Sequence, residues 1–385
     1  MPPPVAFYHH PTIRAVLYQL ALLAGLLWLG YEFVINARSN LEAQSLASGF
    51  GFLDNTAGFG VNQSLIAYSE ADSYGRVFVV GLLNTLLVSG IGIVLATMLG
   101  FLVGIGRLSP NWLLARLCGG YVELIRNLPL LFQILFWYLA VLGSLPSPRQ
   151  SMSFPGGIFL NNRGIIVPAP VAGQGARLVV AAFALGVVAT IALALWARRR
   201  RELGGRRFPL FACGTALIVG LPLAALAATG FPIAFERPEL RGFNFVGGIR
   251  LIPEFVALLI ALTTYTAAFI AEIVRAGVLA VPRGQSEAAL ALGLRRGLLL
   301  RLVVIPQALR VIVPPLTNQY LNLTKNSSLA VAIGYPDLFA VFAGTALSQT
   351  GQAIEIIAIT MAVYLAISLL TSGFMNWYNL RVAQR

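Results

Sequence analysis

The chain has 385 residues, of which 58% are hydrophobic and only 11% are charged. Soluble domains are roughly 25% charged, so this composition excludes a water-soluble globular protein and a disordered chain. Long uninterrupted apolar runs, instead of the alternating pattern of outer-membrane barrels, predict an all-α integral membrane protein. The net charge of +13 is then expected to reflect a charge bias across a bilayer and not nucleic-acid binding.

Eight segments are long and apolar enough to cross a bilayer core, which needs about 20 helical residues. In chain order the predicted spans are roughly Ala15 to Ile35, Val77 to Gly106, Tyr121 to Gly143, Leu178 to Ala197, Phe208 to Gly230, Glu254 to Arg275, Leu302 to Leu323 and Glu355 to Leu380. No small-residue cleavage site follows the first span, which we interpret as a retained anchor. The stretch from Leu338 to Ile354 is rich in Gly, Ser, Thr and Gln, and we expect it to be external or re-entrant.

The distribution of basic residues predicts the orientation. With a cytoplasmic N-terminus, 18 of the 27 basic residues fall on the inner side, where Lys and Arg are normally in excess. The run Arg198–Arg201 directly after an apolar helix is the strongest anchor, and we expect it to contact anionic lipid. Both termini are therefore predicted to be cytoplasmic in a multi-pass protein.

Several kinds of chemistry are missing from the sequence. A phosphate-binding loop needs Gly-Lys-Ser/Thr, and the single lysine, Lys325, stands in another context. Cys118 and Cys213 are far apart, and His9 and His10 lie in the N-terminal tail, so no metal site is predicted. We predict no catalytic residues and no cofactor bound by this chain. The function class that remains is a transporter or channel subunit, and any energy source would be on another chain.

A short cytoplasmic helix is predicted between the sixth and seventh spans. Glu287 falls in its first turn, where a negative charge suits the helix dipole. Ala288 and Ala289 combine high helix propensity with little bulk, and Gly293 ends the helix before Arg295. Such small side chains would let another protein approach the backbone closely. The alternative is an ordinary amphipathic loop helix.

The spacing in this loop resembles the EAA loop of ABC importer permeases. Glu287 opens a Glu-Ala-Ala triplet, Gly293 follows after three residues, and nine residues separate it from a Val-x-Ile-Pro segment that ends at Pro306. The family has Ile-x-Leu-Pro at that point. The resemblance implies that this loop forms the coupling helix, which docks into a groove on an ATPase subunit. Ala289 and Gly293 are then expected to lie near that contact.

Other segments resemble the polar-amino-acid branch of the same family. The motifs are Asn84-Thr85 in the first core helix, Glu123-x-x-Arg126-x-x-Pro-Leu-Leu, the stretch from Tyr265 through Glu272 to Arg275, and Lys325-Asn326-Ser327-Ser328-Leu. The last of these resembles a Lys-Asp-Thr-Ser-Leu element, with Asn in place of Asp. Together the motifs cover roughly residues 76–143 and 253–380.

The resemblance also implies the domain organisation. The family core has five spans, and this chain adds an N-terminal helix and a two-span insertion. The predicted parts are an anchor helix with a periplasmic loop (1–75), the first part of the core (76–143), the insertion with its periplasmic loops (144–252) and the second part of the core (253–385). This arrangement resembles the Q-type permeases of general L-amino acid importers, the Aap/Bzt group.

Candidate site residues follow from the motifs. The substrate-pathway candidates are Asn84, Thr85, Gln133, Tyr265, Glu272, Lys325, Asn326, Ser327 and Ser328. Uncharged polar groups on apolar helices are more often interhelical hydrogen bonds, and that alternative stays open. Glu123 with Arg126 and Glu272 with Arg275 are candidate gating pairs or simple helix ion pairs. Pro314-Pro315 is expected to interrupt the seventh span.

The function implied by the resemblance is that of a permease subunit of an ATP-driven importer. It would move L-amino acids across a bacterial inner membrane. The implied partners are a second, different permease, a cytoplasmic ATPase dimer that holds ATP and Mg, a periplasmic amino-acid-binding protein and membrane lipid, without nucleic acid. An ion-gradient-driven secondary transporter and a channel subunit are the alternatives. The sequence lacks the symmetry-related second half expected of a secondary transporter.

Overall fold

The computed structural model describes residues 11–43, 49–172, 175–202, 208–230 and 233–383. The helices are α1 Pro11–Ala43, α2 Tyr74–Gly106, α3 Trp112–Asn127, α4 Leu130–Leu135, α5 Ala176–Glu202, α6 Leu210–Thr215, α7 Leu221–Ala228, α8 Pro253–Leu279, α9 Arg283–Ala291, α10 Arg296–Leu299, α11 Ile305–Asn326, α12 Leu347–Thr350 and α13 Ala353–Ala383. π-helical segments cover Phe136–Leu142, Ala216–Gly220, Leu300–Val304 and Phe339–Ala346. The mostly helical fold confirms the predicted class.

Six of the described helical stretches are long and apolar enough to cross a membrane. They are Arg14–Phe33, Tyr74–Gly106, Arg177–Ala197, Pro253–Leu279, Arg296–Ile333 and Ala353–Leu380. A bent pair in the region of the predicted third span makes a seventh. The predicted fifth span is a shorter apolar helix, Ala212–Ala228. The stretch from Leu338 to Ile354 is not among the candidate spans, in agreement with the prediction.

The predicted third span, Tyr121 to Gly143, is not one straight helix. α3 ends at Asn127, and the chain bends sharply before α4 begins. Pro129 explains the bend, because a proline disfavours helical backbone at the preceding residue, and Leu128 is extended at φ −98° and ψ 129°. Gln133 stabilises the bend, since its Nε2 donates to the carbonyl oxygens of Ile125 and Leu128, both at 3.0 Å.

The expected interruption of α11 by Pro314-Pro315 is wrong, because the helix runs unbroken from Ile305 to Asn326. Each proline removes one backbone donor. Packing of α11 against α13 and α2 keeps the remaining turns together.

The chain forms two compact units. One comprises the described residues of Met1–Ile134 and Leu258–Arg385, and the other those of Leu135–Ala257. In the first unit α2 and α8 pack closely through glycines. A Cβ at Gly100 would lie 2.6 Å from side-chain atoms of Ile270, and one at Gly104 would lie 2.8 Å from Val274. Small residues at such crossings are typical of helix packing in membranes.

The second unit contains strands that the sequence analysis missed. They are β1 Met152–Phe154, β2 Ile158–Asn161, β3 Gly164–Val167, β4 Ala169–Ala172, β5 Ile233–Glu236, β6 Glu239–Arg241, β7 Asn244–Val246 and β8 Ile249–Leu251. They form an antiparallel sheet of order β1-β2-β3-β8, a two-stranded antiparallel sheet of β4 and β5, and a β6–β7 hairpin. Strands before α5 therefore pair with strands after α7. α5 packs against α6 and α7, so the insertion leaves the sheet and returns to it as a helical hairpin.

Candidate coupling helix and transport-pathway residues

The predicted coupling helix is α9, Arg283–Ala291, which Pro282 precedes. Its C-terminus is a Schellman motif. The Gly293 N–H donates to the Leu290 carbonyl at 2.9 Å, and the Leu294 N–H donates to the Ala289 carbonyl at 3.2 Å. Gly293 has φ +78°, a left-handed conformation that glycine adopts without steric cost. The predicted role of Gly293 in ending the helix is thus explained by its backbone.

One face of α9 is fixed to the first unit. Ala289 is only 5% exposed and forms a buried cluster with Leu299 and Val304, against which Leu294 also packs. Ala289 was expected near the partner contact, and its side chain packs into the core of this chain, so any contact there would involve its exposed neighbours on α9. At 100° per residue the helix turns Ala289 inward, and the apolar contact between Ala289 and Leu294 commonly accompanies a Schellman motif.

The opposite face of α9 is open. Glu287, Ala288 and Gly293 are exposed, as is Arg295, which precedes α10. Leu292 is 82% exposed. The sequence analysis did not single out Leu292, because a single apolar residue in a loop carries no signal of a contact surface by itself. Pro306 is an exposed residue in the first turn of α11.

Glu272 joins α8 to α2. Its Oε1 pairs with Arg275 Nη2 at 2.6 Å, as the i,i+3 spacing predicts. Its Oε2 pairs with Arg107 at the C-terminal end of α2. The sequence offers no local signal for Arg107, because the two helices are far apart in the chain. The Glu272 side chain is 27% exposed, so solvent partly screens its interactions with Arg107 and Arg275.

The predicted Glu123–Arg126 ion pair is absent from the ion pairs of the described residues. The Arg126 guanidinium lies 5.0 Å from the centroid of the Phe269 ring on α8 instead. A cation over an aromatic face is attracted by the ring quadrupole. Arg126 thus contacts α8 through an aromatic ring and not through a carboxylate.

Asn84 and Thr85 are fully buried, and their side chains form hydrogen bonds between α2 and loop residues. Asn84 Nδ2 donates to the carbonyl oxygens of Gln63 and Pro336, at 2.8 and 2.9 Å. Thr85 Oγ1 accepts from the Leu338 N–H at 2.9 Å. These bonds hold the segment that leads into the π-helix Phe339–Ala346. Both side chains therefore act as structural hydrogen-bond partners in this conformation.

The remaining pathway candidates differ in exposure. Gln133 is buried at the bend after α3, and Tyr265 is half-buried with its ring centroid 5.0 Å from that of Phe269. Ser327 is fully buried, and its hydroxyl donates to the Thr324 carbonyl at 2.8 Å.

At the end of α11, Ser328 donates to the Lys325 carbonyl at 2.8 Å, while the Lys325 side chain stays exposed and Asn326 is half-buried. The serine hydroxyls thus bond the last carbonyls of α11 and cap the helix, and the Lys325 side chain is left available for another role.

Asp337 is a buried carboxylate that the sequence analysis missed. Asp337 lies in the segment of the sequence between the last two spans, and its side chain is fully buried. Oδ1 accepts from the Ala340 N–H at 2.8 Å, and Oδ2 accepts from the Tyr364 hydroxyl at 3.3 Å. Burial raises the pKa of Asp337 to about 7. An Asp directly before an apolar helical run is a capping signal that could have identified it.

A known family and several relatives match most of this chain. Residues 92–384 match the family described as binding-protein-dependent transport system inner membrane component. The chain is 52% identical over 375 residues to the general L-amino acid transport system permease protein AapQ of Rhizobium johnstonii, covering 97% of this chain and 94% of that protein. It is 53% identical over 377 residues to the putative amino-acid ABC transporter permease protein YhdX of Escherichia coli, covering 98% and 96%.

A third similar protein is the glutamate/glutamine/aspartate/asparagine transport system permease protein BztB of Rhodobacter capsulatus. It is 44% identical over 399 residues, covering 96% of this chain and 92% of that protein. All three relatives match nearly the whole of this chain over nearly the whole of their own length.

Proposed function

Because this chain belongs to the binding-protein-dependent transport system inner membrane components, we propose that it is the permease subunit of an ATP-driven importer of L-amino acids. Three relatives that match nearly its whole length are named as amino-acid permeases. Neither the family nor these relatives support the ion-gradient-driven alternative. The protein is a multi-pass permease of the inner membrane.

α9 is the site at which a partner ATPase acts on this chain. The observation that carries this proposal is the division of α9 into a face anchored by Ala289 and a face exposed at Glu287, Ala288 and Leu292. Movement of a partner bound to the exposed face would be transmitted to the start of α11 through the anchored face. ATP and Mg are held by that ATPase dimer and not by this chain.

The other proposed partners follow from orientation and exposure. With α9 in the cytoplasm, the eight predicted spans would put the N- and C-termini in the cytoplasm and the strands between residues 144 and 252 in the periplasm, where an amino-acid-binding protein would deliver substrate. No residue of the stretch Arg14–Phe33 in α1 is buried, and lipid or a second, different permease would cover that apolar surface. We therefore propose a heterodimer of permeases.

Within the pathway, Lys325 is the best-supported contributor, because it is a charged side chain that stays exposed beside the capped end of α11. Charged groups near membrane-spanning segments are expensive and commonly functional. Tyr265 and Asn326, which are partly exposed, are secondary candidates.

Site-specific crosslinking tests the docking of the ATPase. In a background with Cys118 and Cys213 replaced by Ser, the exposed site carries Ala288→Cys and the buried control carries Ala289→Cys. We expect a bifunctional thiol crosslinker to join Ala288→Cys, and not Ala289→Cys, to a cysteine in the ATPase groove. Failure of both Ala288→Cys and Leu292→Cys to crosslink in a transport-competent complex would contradict the proposal.

A further inference from the structure

We infer that the strands of the insertion form a binding site for an acidic side chain of the periplasmic binding protein, with Arg163 and Arg250 recognising the carboxylate. The inference rests on the proposed function, because one predicted span, Glu254 to Arg275, separates these strands from a cytoplasmic α9. The site lies wholly within the second unit and is independent of the coupling helix.

Three segments distant in the chain build this site. The β6–β7 hairpin packs on the four-stranded sheet, with the ring centroids of Phe245 and Phe159 4.6 Å apart. The Arg149 guanidinium lies 3.9 Å from the centroid of the Phe243 ring, and Arg163 donates to the Asn244 side chain. Because aromatic and polar contacts fix the position of the hairpin, the cavity beneath it is preformed.

The cavity has a volume of about 130 Å³. Ile166 and Phe245 supply apolar walls, while Arg163, Arg250, Asn161 and Asn244 supply polar ones. Asn161 is fully buried and rigidly held, since its Nδ2 donates to Ser151 Oγ at 2.9 Å and its Oδ1 accepts from the Arg163 N–H at 2.8 Å. Arg250 lies opposite Ile166 in the β3–β8 pair, which directs it to the same face of the sheet.

Two features of the backbone present Arg163 at the edge of the sheet. It stands in the two-residue turn between β2 and β3, where Asn161 pairs with Gly164. Gly164 has φ +110° and lies against the Leu251 carbonyl, so a side chain there would collide with β8. The turn therefore fixes the position from which the exposed Arg163 reaches the cavity.

The charges favour a carboxylate. The two segments that form the strands, 144–172 and 233–252, hold five arginines and two glutamates. Glu239 is paired with Arg241 at 3.4 Å, and Glu236 lies against the backbone of Gly247 without being among the residues that line the cavity. The charged residues that line the cavity are therefore two arginines. Arginine binds carboxylates with two parallel hydrogen bonds, which a point charge cannot do.

The residues that line the cavity favour a protein side chain over a free amino acid as its ligand. A free amino acid carries an ammonium group beside its carboxylate, and that group needs an acceptor of negative charge. The described residues that line the cavity include no Asp or Glu. A side-chain carboxylate of a partner has no ammonium group to satisfy, and the exposure of Arg163 and Arg250 leaves them accessible to it.

The test measures association of the purified binding protein of this importer with the complete complex in lipid nanodiscs. Arg163→Glu and Arg250→Glu should each raise its Kd about 10-fold and reduce the salt dependence of binding. Arg163→Lys, which keeps the charge, should raise the Kd only about 3-fold. Arg241→Gln is the matched control, because it removes an exposed arginine outside the cavity, and it should leave the Kd unchanged. An oligoglutamate peptide should compete with the binding protein.

The outcomes separate this inference from the proposed function. An unchanged Kd in both charge-reversal variants, with melting temperatures like that of the wild type, would overturn the docking site alone. Binding of free L-glutamate that depends on Arg163, together with normal association of the binding protein, would also overturn it in favour of a small-molecule site. If the binding protein never stimulates ATP hydrolysis by the wild-type complex, the importer proposal itself fails.

Discussion

The Leu294 N–H donates to the Ala289 carbonyl at 3.2 Å and closes the C-terminal end of α9. The bond exists because Gly293, between them, takes a left-handed conformation. Ala289 is at the same time buried against Leu299 and Val304. One short stretch thus fixes both the end of the helix and its attachment to the core, and it leaves Glu287 and Leu292 exposed for a partner.

Gly293→Asp should abolish stimulation of ATP hydrolysis by the loaded binding protein while the permease still inserts. A side chain at φ +78° costs about 1 kcal/mol, which loosens the end of α9, and the charge alters the exposed surface. Gly351→Asp is the matched control, since Gly351 is also exposed and left-handed, at φ +69°, but follows α12 and is not part of α9. Glu287→Gln should weaken stimulation less than Gly293→Asp. Equal activity of Gly293→Asp and wild type would mean that α9 does not dock.

Glu272→Gln should lower the stability of the permease in detergent. The change removes the negative charge that pairs with Arg107 and Arg275. Because these side chains are partly exposed, we expect a loss of about 1 kcal/mol and a lower melting temperature. Glu239→Gln breaks an ion pair whose side chains are about 70% exposed and should change stability by less than about 0.5 kcal/mol. The prediction fails if the two variants melt alike.

Asp337→Asn should remove a pH dependence of stability between pH 5 and 8. The ordinary pKa of 3.8 is raised to about 7 in the folded protein, so over this interval the unfolded chain binds fewer protons than the folded one. Stability of the wild type then falls as pH rises towards 7, by up to about 1.4 kcal/mol per pH unit. The amide does not titrate, and the variant should be the more stable protein at pH 8. Melting curves at several pH values decide this, and parallel curves would contradict it.

Lys325→Met should impair amino-acid uptake, because the exposed cation is proposed to face the pathway. Lys325→Arg keeps the charge and should retain most of the uptake. Assembly should survive in both variants, since the hydrogen bonds that cap α11 come from Ser327 and Ser328 to backbone carbonyls. Uptake rates in vesicles, normalised to the amount of assembled complex, measure the effect. Normal uptake by Lys325→Met would leave that residue a purely structural position.

The parts that the sequence predicted depend on local patterns. Membrane spans follow from runs of about 20 apolar residues, and α9 follows from a Glu, two Ala and a Gly at fixed spacing. The sheet could not be predicted in this way, because its strands have three or four residues and β3 pairs with β8 across α5, α6 and α7. The same holds for Arg107, whose partner Glu272 lies on another helix.

The roles of the predicted site residues could not be read from local sequence patterns either. Polar residues on apolar helices were found, but their roles depend on what packs beside them. Thr85, a pathway candidate, accepts from the Leu338 N–H. Ala289, expected near a partner contact, has a buried side chain because the chain after Gly293 folds back onto it. Burial of this kind is set by tertiary packing, which no spacing rule reveals.

Uptake in proteoliposomes that contain the complete complex tests the central claim most directly. Radiolabelled L-amino acid should accumulate only with ATP on the side of the ATPase and loaded binding protein on the other side, and ionophores that collapse ion gradients should leave uptake unchanged. Accumulation driven by an ion gradient without ATP would contradict the assignment of this chain to an ATP-driven importer.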